Sequence, residues 1–183
     1  VKNNITKSYG RENNTVLRVL NIRKPSLRDL AFTVDKKETL VLTSFNEKNK
    51  ENGFFKLDLA KNNGPIEIIQ DKFTYKGIQS DKSNKTYLYI KENFSTSPNL
   101  YVSQTFKDEI ELTDINKQQE KFNWGTAELV QWTTPKGYKA EGILYKPENF
   151  DPNKKYPIIA YFYETSTEGL YAYQAPAPTP SRL

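Results

Sequence analysis

Thr39-Leu40-Val41-Leu42-Thr43 is followed by a polar loop ending in Asn52-Gly53, by Phe54-Phe55-Lys56-Leu57-Asp58-Leu59, by a turn at Asn62-Asn63-Gly64 and by a strand-like run from Ile66 to Gln70. These runs are short, rich in β-branched and aromatic residues, and bounded by Asn and Gly, as expected of strands joined by tight turns. The same order returns from Thr86: Tyr87-Leu88-Tyr89-Ile90, a Pro98-Asn99 loop, Leu100-Tyr101-Val102-Ser103, a charged turn, and Ile110 to Thr113. Matching positions lie about 45 residues apart, and that period with three or four antiparallel strands per unit describes a β-propeller blade. A β-sandwich also has evenly spaced strands and turns, so the residues alone leave both architectures open. Propellers close with typically about four to eight blades, whereas residues 1 to about 120 hold at most about two and a half. If these are blades, the chain is expected to be part of a larger protein.

Outward from the repeat, helix is hard to place, and Pro25-Ser26-Leu27-Arg28-Asp29-Leu30 is the best short candidate because Pro suits a first helical turn. The character changes near Asn123. Ala127-Glu128-Leu129-Val130-Gln131-Trp132-Thr133-Thr134, the turn Pro135-Lys136-Gly137, and Lys139 to Tyr145 read as a hairpin, with Pro and Gly at the second and fourth turn positions. A polar turn, Pro147 to Lys155, leads to Tyr156-Pro157-Ile158-Ile159-Ala160-Tyr161-Phe162-Tyr163. That nearly unbroken apolar run predicts a strand buried on both faces, as in the central sheet of an α/β domain. The Pro-rich stretch Ala175 to Pro180 follows.

Composition excludes whole chemistries. The 183 residues include no His and no Cys, so Ser-His-Asp and Cys-His machinery, disulfides and zinc sites of the usual ligands are closed to this chain. No cofactor or metal is expected. Without Met, Val1 is expected to be a processed or cut end. No apolar run approaches the roughly 20 residues of a membrane span. The net charge of +5 is spread through interleaved signs, as in Asp35-Lys36-Lys37-Glu38 and Glu47-Lys48-Asn49-Lys50-Glu51. That pattern is a solvated surface and lacks the basic stripe of a nucleic-acid binder. Sequons at Asn4, Asn13, Asn84 and Asn93 carry little weight in an Asn-rich chain.

Residues 123 to 163 carry a resemblance. The order Trp-Gly-Thr-Ala-Glu-Leu-Val-Gln-Trp from Trp124, Pro-Lys-Gly-Tyr from Pro135, and Glu-Gly-Ile-Leu-Tyr-Lys-Pro-Glu-Asn-Phe-Asp-Pro-Asn-Lys-Lys-Tyr-Pro-Ile-Ile from Glu141 resembles the junction at which serine peptidases of the prolyl oligopeptidase family pass from their propeller into an α/β-hydrolase domain. It looks closest to the dipeptidyl-peptidase branch of Bacteroides-type bacteria. Tyr9-Gly10-Arg11, Asn52 to Leu59 and Lys91 to Tyr101 are similar to propeller segments of such proteins. The resemblance implies a mainly β chain, with the last blades of a propeller over residues 1–122, then a linker hairpin and the start of a peptidase domain over 123–183.

In that family an oxyanion-hole tyrosine closes the strand after the Lys-Tyr-Pro turn, which places it at Tyr163. A phenol O–H aimed at the developing oxyanion would stabilise the tetrahedral intermediate of acyl transfer. Glu164-Thr165-Ser166 follow here, where many members have small residues and proline. Tyr161 and Tyr171 are further candidates. There is no Gly-x-Ser-x-Gly elbow and no Ser-x-x-Lys substitute, so this chain is expected to be inactive alone. Glu92, Glu109 and Glu128 are read as surface carboxylates. The implied partners are short peptides, the remainder of the same polypeptide and, in a dimer, a second copy, in the periplasm or outer envelope. The contrasting expectation is a non-catalytic β-rich module binding peptide or glycan through exposed aromatic rings, against which stands burial of Trp124 and Trp132 in the hairpin region.

Overall fold

The computed structural model describes residues 4–20, 34–162 and 166–176. A short helix α1, Tyr9–Glu12, precedes β1, Thr15–Val19. Then come β2 (Thr39–Asn46), β3 (Asn52–Asp58), β4 (Ile66–Asp71), β5 (Thr74–Ser80), β6 (Tyr87–Glu92), β7 (Asn99–Ser103), β8 (Ile110–Glu111), β9 (Thr126–Thr133) and β10 (Lys139–Lys146). They form two four-stranded antiparallel sheets, β1-β2-β3-β4 and β5-β6-β7-β8, and the separate hairpin β9-β10. The fold is mainly β. The expected runs in both repeats fall on strands β2, β3, β4, β6, β7 and β8, so the sequence period corresponds to one sheet per repeat.

Strand alternation sends successive side chains to opposite faces, and β3 has an apolar residue for each. Phe55 and Leu57 share one face with Leu42, which pairs with Phe55 across the ladder, and with half-buried Tyr9, Leu17, Val19 and Leu40 they form one core. Phe54 points to the other face and into the space between the two sheets. There its ring stacks on Phe106 at 3.8 Å and meets Tyr75 edge-on at 4.8 Å, while Tyr87 lies 4.4 Å from Phe106. Phe54, Tyr87, Tyr89 and Phe106 are all buried. Each such side chain contributes roughly 1.5–3 kcal/mol relative to exposure.

Two local devices shape this inter-sheet core. Gly77 has φ +59° where the β5–β6 register shifts between Lys76 and Gln79, a glycine bulge that lets Ile78 pack against the aromatic cluster. Phe106 has φ +61°, unusual for a bulky residue. Its N–H donates to Ser103 Oγ at 2.9 Å, and its ring is held between Phe54 and Tyr87.

The hairpin forms as its sequence predicts: the Gly137 N–H reaches the Thr134 carbonyl at 2.8 Å, and Gly137 takes φ +84°. The strand expected over the next run does not form among the described residues. Residues 156–162 belong to no strand, and Ile158, Ile159 and Phe162 are 80%, 85% and 90% exposed. High strand propensity forms no ladder without a neighbouring backbone, and no described residue supplies one. All described ladders are antiparallel. The helix candidate Pro25 to Leu30 lies outside the described residues; the observed helix, α1, had no clear signal in its polar surroundings. No helix among the described residues is long and apolar enough to cross a membrane.

Candidate functional site at the sheet–hairpin junction

The foremost sequence candidate, Tyr163, lies outside the described residues. Tyr161 is exposed on the unpaired run. Tyr171 is instead built into a junction. The segment from Ser166 to Tyr173, here the strap, begins with a 3-10 turn, Thr167–Gly169, and touches both sheets and the hairpin. Its Leu170 is buried. The Thr167 hydroxyl donates to Glu141 Oε1 on β10 at 2.8 Å, and the same oxygen accepts from Lys50 Nζ at 2.5 Å. Lys50, from the β2–β3 turn, is itself buried and also donates to the Glu47 carbonyl at 2.6 Å. The Lys50 ammonium holds the Glu141 carboxyl below its ordinary range, aided by Thr167 and opposed by burial.

Further along, the Thr74 hydroxyl donates to the Tyr171 carbonyl at 2.9 Å, and the Tyr171 phenol donates to the Asn49 carbonyl at 3.2 Å. Burial, with Glu51 behind it, raises the Tyr171 pKa, so this phenol stays protonated. The Tyr173 N–H donates to Glu92 Oε1 at 3.1 Å, which also accepts from Lys76 Nζ at 2.5 Å. The Tyr173 ring stacks on Trp124 at 5.3 Å and 9°. Trp124 in turn donates its indole N–H to the Phe94 carbonyl at 2.6 Å, and Phe94 packs on Tyr145 of β10.

A second cluster ties the two sheets together. Lys91 Nζ on β6 lies 2.5 Å from Glu109 Oε2 and 3.8 Å from Asp71 Oδ2 at the end of β4. It sits 4.4 Å from the centre of the Phe73 ring and faces Tyr75 and Tyr101 at longer range. Tyr75 donates to Asp71 at 2.8 Å, and Tyr89 donates to Glu109 at 2.8 Å. Burial raises the Asp71 carboxyl, with Tyr75 and Lys91 acting against it. Burial first, then the neighbouring carboxylates, raises the Tyr75 and Tyr89 phenols, and burial with Glu111 pushes Tyr101 up to about 12.

Two readings are corrected here. Glu92 is 3% exposed, and the Glu109 side chain is 16% exposed; Glu92 is a buried and Glu109 a half-buried carboxylate, each paired with a lysine. Each is retained inside because an ammonium and a hydrogen-bond donor face it, which lowers the cost of burying charge. Glu128 is exposed as expected and pairs with Lys146. Of the two tryptophans, Trp124 is half-buried, whereas Trp132 is 50% exposed.

No family model matches the chain, and no curated protein matches it. Among solved structures it is similar to a variant of the AtxE2 isopeptidase with Astexin3-dC4 bound, at 11% identity and a TM-score of 0.48. The match covers 79% of this chain and 26% of that one, so the chain spans about a quarter of that protein's length. A likeness of that strength carries no argument.

Chemically, the two clusters are unlike an acid–base pair at work. The phenols are held as protonated donors, and each ammonium is already neutralised by a carboxylate. Among the described residues no group of His, Cys, Asp and Glu is arranged to hold a metal. The junction is not legible in the sequence because its partners are far apart: Tyr171 reaches Asn49, and Tyr173 reaches Glu92. The inter-sheet cluster does leave one signal in the sequence. The spacing Tyr87-x-Tyr89-x-Lys91 puts the lysine on the aromatic face of β6.

Proposed function

We propose that this chain is the propeller-to-hydrolase junction of a serine exopeptidase of the prolyl oligopeptidase family, acting on short peptides in the manner of a dipeptidyl peptidase. The residue order from Trp124 to Ile159 carries the reading. Two successive four-stranded meanders, offset by 47 residues from Leu40 to Tyr87 and packed through Phe54, Tyr89 and Phe106, support it, as does the hairpin that follows them. In the whole protein the propeller would screen access to the catalytic centre. Tyr163 would donate to the oxyanion, and the nucleophile, acid and base would come from outside these residues. Residence in the periplasm or outer envelope belongs to the same proposal.

The test is labelling of the natural gene product with a serine-reactive fluorophosphonate, together with release of dipeptides from Xaa-Pro substrates. An unlabelled natural product overturns the reading. The 183-residue chain, having no histidine, is expected to stay unlabelled.

A non-catalytic peptide- or glycan-binding module is the second reading. It is favoured by Trp132, which is half-exposed and lies across the hairpin with its ring atoms 3.4 Å from where a Cβ on Gly142 would stand. Calorimetric titration with peptides and glycans tests it, and absence of heat with all of them rejects it.

A further inference from the structure

A cleft of about 210 Å³ opens where the β6–β7 turn, the first residues of β9 and the strap meet. Phe94, Ala127, Leu170 and Tyr171 give it an apolar lining, with Lys72 and Thr126 among its other walls. The walls are fixed independently of any ligand. Asn93 Oδ1 accepts the Ser95 and Thr96 N–H groups at 3.0 and 2.7 Å, and the Phe94 carbonyl is held by Trp124. Tyr171 is pinned at both its carbonyl and its phenol. At Gly125, φ is +75°, and a Cβ there would stand 2.2 Å from the Lys146 carbonyl oxygen, so this approach of β9 to the cleft admits only glycine. Such prior ordering lowers the cost of binding.

The depth is apolar and the rim is not. Leu170 is 3% exposed, whereas Lys72 and Thr126 are exposed. Neither the Lys72 ammonium nor the Thr126 hydroxyl is engaged in a hydrogen bond or ion pair among the described residues. The lining includes no carboxylate, so Lys72 leaves the rim with a net positive charge. The volume lies below the roughly 300–1,000 Å³ of drug-sized sites, which suits a small occupant.

The geometry points to a binding site for the C-terminal residue of a peptide, with an aliphatic side chain against Phe94 and Leu170 and the terminal carboxylate toward Lys72. This site does not depend on the peptidase reading. The experiment is an amide-shift NMR titration of the chain with N-acetyl-L-leucine, its neutral analogue N-acetyl-L-leucinamide, and hexanoate. Saturable shifts at Ser95, Thr126 and Tyr171 are expected with the acid. Binding should weaken by about tenfold for the amide and for Lys72→Gln, since a hydrogen bond to a charged group is lost. Lys72 is exposed, so its variant folds. Ala127→Leu, which fills the cleft, should abolish the shifts while Lys56→Gln on β3 leaves them unchanged. Equal binding of acid and amide, wild-type affinity in Lys72→Gln, or no saturable shift overturns the proposal. Hexanoate binding as tightly as N-acetyl-L-leucine overturns the peptide assignment.

Discussion

Replacing Lys91 by Met tests whether the inter-sheet cluster works by charge or by packing. Met retains the unbranched stem that lies against the Phe73 ring but removes the ammonium between Glu109 and Asp71. Breaking a buried pair by deleting one partner costs about 3–5 kcal/mol. The three side chains here keep 12%, 16% and 23% exposure, which argues for the lower end, about 3 kcal/mol. For a chain of this size that corresponds to a fall in Tm of about 6–12 °C. The pH dependence is more diagnostic. Burial already raises the Asp71 carboxyl despite Lys91 beside it, so the folded state binds that proton more tightly than the unfolded chain does. The resulting stability is fully present below the unfolded pKa of about 3.9 and is lost as pH rises through the raised folded value. Without Lys91 the upward shift grows, and the deficit of the variant should open as pH climbs from about 4 to 7. Thermal melts followed by circular dichroism at both pH values measure this. Adding Glu109→Gln to Lys91→Met should recover part of the loss at pH 7, because one of the two stranded carboxylates is gone. A deficit of the same size at both pH values would refute the electrostatic account and leave Lys91 as a packing residue.

Tyr173→Ala removes the ring stacked on Trp124 and should red-shift the tryptophan emission while lowering stability by about 1 kcal/mol; unchanged emission would mean that the strap does not cover that indole. Phe54→Ala empties the centre of the inter-sheet core and should cost about 3–5 kcal/mol in denaturant unfolding. The Asp81 carboxylate accepts the Ser83 hydroxyl and the Thr86 and Lys85 N–H groups at 3.0 and 2.8 Å, which in that order hold its pKa well below the ordinary range. Its stabilising effect is therefore fully present above the unfolded pKa of about 3.9 and is lost as pH falls from there through the depressed folded value. In an NMR titration the Asp81 carboxyl carbon should move below the range of ordinary aspartates, and Asp81→Ala should speed amide exchange in the β5–β6 turn alone.

The strands that sequence made legible are those whose pattern is complete within themselves. Leu40 and Leu42 on one face, and Tyr87 and Tyr89 on the equivalent face 47 residues later, announce both sheets by alternation and repetition. β5 was not legible, because Thr74-Tyr75-Lys76-Gly77-Ile78-Gln79-Ser80 breaks its period at the Gly77 bulge and alternates cleanly only up to it. β1 is a short run whose burial depends on Leu42 and Phe55, residues that reach it only after the intervening chain has folded back. The carboxylates failed for a related reason. Composition treats Glu92 and Glu109 as ordinary acidic residues, but their burial is decided by Lys76 on the strand beside Glu92, by Lys91 reaching Glu109 from β6, and by a Tyr173 amide that meets Glu92 81 residues later. Apolar pattern is a local property, whereas the permission to bury a charge is granted by partners that only the tertiary fold assembles. The run from Tyr156 to Phe162 shows the converse. Its apolar residues are those of an interior strand, yet they stand exposed because an unpaired strand cannot satisfy its own backbone. Under the peptidase reading, the sheet that pairs it is supplied by the rest of the polypeptide, and its amides should become protected from exchange in the natural product while remaining fast in this chain.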